Sequence, residues 1–217
     1  MTIAAYSHET AKNQVVSIID YGAGNLTSVA RALRYIGVTC KITNQHKEIL
    51  SSERVIFPGV GAAGKAMEVI RRGNLDSVIH EVVEQKKPFL GICLGAQVIL
   101  GRSEEDNTSC LNIIPGTTRR FPDRGIKIPH MGWNDISVVR SHPLLKGVDR
   151  RAQFYFVHSY YPAPEQEEDI IATTDYGSSF ACIIGRDNVV ATQFHLEKSG
   201  RNGLKMLKNF CNWDGKV

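Results

Sequence analysis

Hydrophobic positions along the chain follow two spacings in turn, and the switches between them outline the elements. Residues 15–19 are a short β-rich apolar run, followed by Gly22-Ala23-Gly24-Asn25. Leu26, Val29, Ala30, Leu33 and Ile36 then recur at helical spacing. Asn25 is placed to cap that helix and Gly37 to end it. Residues 38–43 predict a second strand, 47–51 a short helix and 54–57 a third strand stopped by Pro58-Gly59. Strand, helix, strand is the rhythm of a parallel sheet. Leu75, Val78, Ile79, Val82 and Val83 predict a further helix, and Lys87-Pro88 punctuates its end. Residues 89–92 are continuously apolar, as in a strand buried on both faces, which puts the centre of the sheet there.

From about residue 103 to 187 the pattern changes to short strands, at 136–139, 153–157, 170–173 and 180–184, with polar turns between them. This half reads as more antiparallel. Residues 189–194 form a last strand, and Leu204, Leu207 and Cys211 mark a closing helix. No repeat, low-complexity segment or long linker interrupts the chain. The expectation is one α/β domain over 15–217, mostly parallel in its central sheet, preceded by a polar extension at 1–14.

Composition narrows the class. With 217 residues, 42% hydrophobic and 22% charged, the chain matches a soluble globular average rather than a disordered or fibrous one. Its longest uncharged stretch, residues 88–101, is broken by three glycines and falls short of the roughly 20 apolar residues of a spanning helix. The first residues lack a basic start and apolar block, so the expected setting is the cytoplasm. A net charge of +4, scattered in pairs such as Arg71-Arg72, is too mild for a nucleic-acid footprint. Five cysteines in odd number, with no Cys-x-x-Cys spacing, suit neither a disulfide framework nor a zinc site, and no metal or cofactor is expected.

One cysteine stands out by its surroundings. Cys93 lies in Gly91-Ile92-Cys93-Leu94-Gly95, after the 89–92 strand and before a helical run at 96–100. This is the spacing of a nucleophile elbow, in which glycines two residues either side leave room for a sharp turn. A thiol at a helix N-terminus faces unpaired N–H groups and the positive end of the helix dipole, both of which favour thiolate. A thiolate needs a base, and His195 in His195-Leu196-Glu197 is the candidate. If the last strand runs on to Glu197, the two side chains share a face and the carboxylate orients the imidazole. Pro58-Gly59-Val60-Gly61, at the carboxyl edge of the sheet, offers backbone donors for an oxyanion.

The elbow, the Cys…His-x-Glu order and the Pro-Gly-Val-Gly loop together resemble the class I, triad-type glutamine amidotransferases. Asp20-Tyr21-Gly22-Ala23-Gly24-Asn25-Leu26, Pro129-His130-Met131-Gly132-Trp133-Asn134, His158-Ser159-Tyr160-Tyr161 and the continuation to Lys198-Ser199 narrow the likeness to the glutaminase subunits of imidazole glycerol phosphate synthase, over about residues 15–212. The resemblance implies a flavodoxin-like fold and a triad of Cys93 as nucleophile, His195 as base and acid and Glu197 as its partner. It implies an oxyanion hole at Gly61 and Leu94, and a glutamine site at Gly61, Gln97, Ser159 and Tyr160. The chain has no residues left for acceptor chemistry, so the resemblance also implies a heterodimer with a cyclase of (β/α)8-barrel type. Its docking face is expected around Asn25, the stretch from Pro129 to Asn134 including Trp133, and Lys198; Trp133 in particular stands in a context too open for core use.

Ala63, Ala96 and Cys110-Leu111-Asn112 depart from the family pattern. They leave open a related subunit that feeds ammonia to another acceptor, as in amidino-sugar synthesis. The elbow and histidine alone would equally serve a stand-alone thiol hydrolase, and the fold alone a non-catalytic scaffold.

Overall fold

The computed structural model describes residues 15–216 apart from 23 and 124, so the expected extension at 1–14 lies outside the described residues. In chain order the first half contains β1 (Val16–Ile19), α1 (Leu26–Tyr35), β2 (Cys40–Thr43), α2 (His46–Ser51), β3 (Arg54–Gly59), α3 (Ala63–Arg72), α4 (Leu75–Glu84), β4 (Phe89–Cys93) and α5 (Leu94–Val98). The second half adds β5 (Arg102–Ser103), β6 (Thr108–Ser109), β7 (Gly116–Arg120), β8 (His130–Asp135) and β9 (Ser137–Val138). It continues through β10 (Gln153–His158), β11 (Tyr160–Pro164), β12 (Ile170–Asp175), β13 (Ser179–Arg186) and β14 (Val189–Thr192) to α6 (Gly200–Asn212).

The main sheet runs β2-β1-β3-β4-β14-β13-β12-β9. Its first four strands and β14 are parallel, and β13, β12 and β9 are antiparallel additions. The expected division into a parallel first half and a more antiparallel second half therefore holds, with β14 returning to the sheet centre beside β4. Both faces are covered, which is why β4 reads as an unbroken apolar run and β1 and β3 are apolar but for Ser17 and Arg54. Ile18, Ile56, Leu90 and Ile92 face a core shared with Leu33 of α1 and Leu207 of α6. Ile19, Val55, Phe57 and Phe89 face the other, shared with Ile70 of α3 and Ile79 of α4.

Several element ends differ from expectation, each for a local reason. Strand β3 is not stopped by Pro58-Gly59 but includes both, pairing Pro58 with Ile92 and Gly59 with Cys93. On its other side β1 pairs only as far as Ile56, so Pro58 stands at a free edge where its missing N–H costs no ladder bond. Asn25 precedes α1, but its side chain makes no capping hydrogen bond; its carbonyl accepts from Ser28 and Val29 instead. Strand β14 ends at Thr192, short of the expected 194. Asn112 adopts a left-handed backbone with φ of 54°, a conformation that glycine and asparagine tolerate best, so this departure from the family pattern is conformationally mild.

Candidate active site

The parallel register places the carboxyl ends of β3 and β4 side by side, with Gly59 opposite Cys93. Cys93 joins β4 to α5 with φ of 55° and ψ of −103°, a conformation that few side-chain-bearing residues adopt. The flanking glycines are steric requirements. A Cβ on Gly91 would stand 2.9 Å from Gly95 backbone atoms, and one on Gly95 would overlap the Phe57 carbonyl. Together they let α5 start directly against the sheet, with Leu94 as its first residue and its N–H free of any intrahelical partner.

Opposite the elbow, His195 follows β14 and forms an isolated antiparallel bridge with Tyr155 of β10. The chain does not continue as a strand; Leu196–Lys198 is a 3-10 turn. His195 and Glu197 meet through that turn rather than through shared strand parity, with Nδ1 and Oε1 2.8 Å apart. The backbone of His195 is clamped: its N–H donates to Tyr155 O at 3.0 Å, and its carbonyl accepts from Ser199 Oγ at 2.5 Å. Ser199 Oγ in turn accepts the Tyr155 N–H.

Burial alone would push the His195 ring down, but its interactions with Cys93 and Glu197 outweigh that and raise it to about 9. The ring is therefore an imidazolium at neutral pH. Its Nε2 is buried and makes no other hydrogen bond among the described residues; the nearby Cys93 thiol supports the protonated ring, by hydrogen bonding more than by charge. Both residues are buried, Cys93 at 5% exposure and His195 at 2%.

On the oxyanion side, Gly61 has φ of 100° with open space around its Cα, so backbone conformation rather than crowding calls for glycine. Gly59 is constrained differently, because a Cβ there would overlap Tyr21 Oη and press Leu94. The β1–α1 turn packs on this loop: a Cβ on Gly24 would stand 3.5 Å from Gly59 Cα.

Gln97 on α5 is buried, and its Nε2 donates to Tyr160 O at 2.9 Å and to Gln193 Oε1 at 3.2 Å. Gln193 Nε2 reaches Cys93 Sγ at 3.8 Å. Sequence reasoning assigned Gln193 no role; an amide two residues before His195, just past the apolar run 189–191, was the available signal. Ser159 sits between β10 and β11, and its carbonyl accepts from Phe121 N–H. Thus Cys93, Gln97 and Tyr160 are joined through Gln193, with Ser159 beside them in the chain.

The residues expected at the docking face fall into one group and one neighbour. Met131 and Trp133 project outward from β8 at 60% and 54% exposure, while His130 and Asn134 alternate inward. The Trp133 ring lies edge-on to Tyr155, centroids 6.0 Å apart, and Lys198 Nζ stands 5.8 Å over the same Tyr155 ring. Asn25 lies at the start of α1, which packs against the turn carrying Lys198.

A family model described as Glutamine amidotransferase class-I matches residues 17–213. The imidazole glycerol phosphate synthase subunit HisH of Maridesulfovibrio salexigens is 49% identical over 210 residues, covering 94% of this chain and 99% of that protein. The protein of the same name from Neisseria meningitidis is 46% identical over 210 residues, covering 91% and 99%. Among solved structures, PurLQS from Thermotoga maritima superposes with a TM-score of 0.73 at 16% identity, covering 92% of this chain and 98% of that one. The glutaminase domain of Trypanosoma brucei CTPS, solved with bound acivicin, does so with a TM-score of 0.59 at 17% identity, covering 92% and 94%. At these identities the structural likeness is one of fold.

Proposed function

The chain belongs to the class-I glutamine amidotransferases, and from that premise we propose that it is the glutaminase subunit of an imidazole glycerol phosphate synthase. In this reading it hydrolyses L-glutamine to glutamate and ammonia, and passes the ammonia to a cyclase subunit. That partner, of (β/α)8-barrel type, makes imidazole glycerol phosphate and aminoimidazole carboxamide ribotide in cytoplasmic histidine biosynthesis. The observation that carries the proposal is the meeting of a strained, glycine-flanked Cys93 with the His195–Glu197 pair at the carboxyl edge of the sheet. The HisH name of the relatives supports the choice of acceptor chemistry.

The residues divide the reaction as follows. The Cys93 sulfur attacks the side-chain carbonyl carbon of glutamine, and the carbonyl electrons move onto oxygen. Gly61 and Leu94 N–H groups stabilise that oxyanion. Imidazolium His195 gives its Nε2 proton to the departing nitrogen, which leaves as ammonia, while Glu197 holds Nδ1–H and keeps the ring oriented. Neutral His195 then takes a proton from water, which cleaves the thioester to glutamate and restores the thiolate. Gln97, Ser159 and Tyr160 hold the substrate. Thr118 Oγ1 supports α5 by donating to Gln97 O.

The free subunit is expected to hydrolyse glutamine slowly and to accelerate strongly when the cyclase and its nucleotide ligand are bound, because ammonia would otherwise be released unused. Glycine at 59 and 61 lets the loop peptides rotate between arrangements, which is where the acceleration would act. Equal glutaminase rates for the free chain and the liganded complex would overturn the assignment to a cyclase-dependent subunit and favour a stand-alone hydrolase.

The docking face gives a second test. A partner seated on Trp133 and Lys198 presses on both neighbours of the Tyr155 ring, and the Tyr155 backbone holds His195. Trp133→Ala is expected to weaken association with the cyclase by about 2 kcal/mol, or to release glutamate in excess of final product. A folded variant that binds as tightly as the parent with one-to-one coupling would move the interface elsewhere.

A further inference from the structure

Two buried histidines, His130 on β8 and His158 at the end of β10, have no part in the reaction just described, yet they touch each other and lie beside its site. They are paired across the two-stranded β8–β10 sheet, His130 opposite His158. His158 Nδ1 lies 2.8 Å from Tyr160 O, and His158 Nε2 lies 3.0 Å from His130 Nδ1. His130 Nε2 meets Asn134 Nδ2 at a longer 3.4 Å. All four ring nitrogens are therefore engaged.

The partners fix where the protons sit. A carbonyl only accepts, so His158 Nδ1 carries hydrogen. Burial holds His130 at about 4 and His158 at about 3, so both rings are neutral near pH 7. With one hydrogen per ring, His158 Nε2 is an acceptor, His130 Nδ1 must donate to it, and His130 Nε2 must accept from the Asn134 amide. Every proton in the chain points toward Tyr160. Asn134 is itself oriented, because its Nδ2 also donates to Asp175 O at 2.9 Å and its Oδ1 accepts the Asp135 N–H at 3.0 Å.

The rings are also held sterically. His130 stacks on Phe156 and on Tyr176, centroids 4.8 and 4.1 Å away, and His158 packs against Phe121 and Phe180. This aromatic packing keeps both rings buried, His130 at 3% and His158 at 6% exposure.

At its inner end the chain meets the site. The Tyr160 carbonyl that accepts from His158 also accepts from Gln97 Nε2, and Gln97 leads through Gln193 to Cys93. We propose that His130 and His158 are a positioning pair, whose tautomer-locked hydrogen bonds hold the Tyr160 carbonyl and with it the glutamine-binding side of the thiol site. The same pair ties that carbonyl to Asn134, on the strand that presents Trp133. This rests on the reading of Tyr160 and Gln97 as glutamine-binding residues.

The test uses the chain in complex with its cyclase subunit. His158→Phe keeps the ring but removes both nitrogens, so Tyr160 O loses a partner and His130 Nδ1 is left without one. It is expected to raise KM for glutamine about tenfold, the effect of one buried hydrogen bond left unmade, while ammonia-dependent synthesis is unchanged. His158→Asn, whose amide can donate from near the Nδ1 position, is expected to recover most of the loss. Nitrogen-15 NMR of the wild-type chain at pH 7 should show both rings as neutral Nδ1–H tautomers, a readout that does not depend on folding of a variant. Unchanged kinetics in a folded His158→Phe complex, or an Nε2–H tautomer or imidazolium at either ring, would overturn the proposal. Glutaminase activity surviving in Cys93→Ala would instead overturn the reading of the site itself, so the failures are distinguishable.

Discussion

Replacing Cys93 by Ala is expected to lower glutamine-dependent synthesis by about 10^4-fold or more, while synthesis from added ammonium by the cyclase complex continues. The size follows from the chemistry. Besides His195, which serves as base and acid in the proposed scheme, the partners of Sγ are the Val157 carbonyl and the Gln193 amide, and neither is a nucleophile. Water attacking the amide directly would forgo the covalent route and leave only the oxyanion donors and substrate positioning. The backbone should not relax, because alanine carries the same Cβ as cysteine into the left-handed φ of 55°. The fold should therefore persist and the complex should form, so loss of activity cannot be assigned to loss of structure. The measurement is paired steady-state assays with glutamine and with ammonium on the same preparation. Retained glutaminase activity would show that another group attacks the amide.

The elbow was legible because its physics is local: a buried strand, a helix start and glycines at fixed offsets are all read within a few residues. The two-faced burial of β4 was legible for the same reason. Helix α3 was not anticipated. Its buried face is Ala63, Ala66, Met67 and Ile70, half of it alanine, so the apolar signal is faint although the spacing is helical. Strand β8 was hidden by inversion. Its inward positions are His130, Gly132 and Asn134, whereas Met131 and Trp133 face out, so alternation of apolar and polar residues points the wrong way. That inversion follows from β8 presenting an apolar outer face while its inner face carries the histidine chain. The His195–Glu197 pair was found by spacing, but for a reason that the structure replaces, since two residues apart also suits the 3-10 turn that forms there. Gln193 and the His130–His158 pair depend on contacts between segments tens of residues apart, which no local pattern encodes.

Changing Glu197 to Gln should lower kcat of the complex by about 10^2- to 10^4-fold and move the alkaline limb of its pH profile toward neutrality. Glu197 and Cys93 are what raise His195 to about 9 against the opposing effect of burial. With the carboxylate gone, one of these supports is lost and burial weighs more, so the ring gives up its proton at lower pH. The proposed chemistry begins with an imidazolium that protonates the departing ammonia. In the parent that form persists until pH rises through about 9, and in the variant it is lost earlier. The stability linked to the ring has the same sign. A histidine whose folded value lies above its unfolded value of roughly 6.5 contributes fully below that value, and the contribution disappears as pH rises through the folded value. The variant should therefore have a smaller alkaline fall in stability than the one expected of the parent as pH rises toward about 9. Glutamine preserves the shape of the side chain and can still accept the Nδ1–H through its amide oxygen, so ring orientation is disturbed less than charge. Following kcat and kcat/KM from pH 6 to 10 separates the two. A variant with reduced kcat but an unmoved alkaline limb would mean that Glu197 orients His195 without setting its charge.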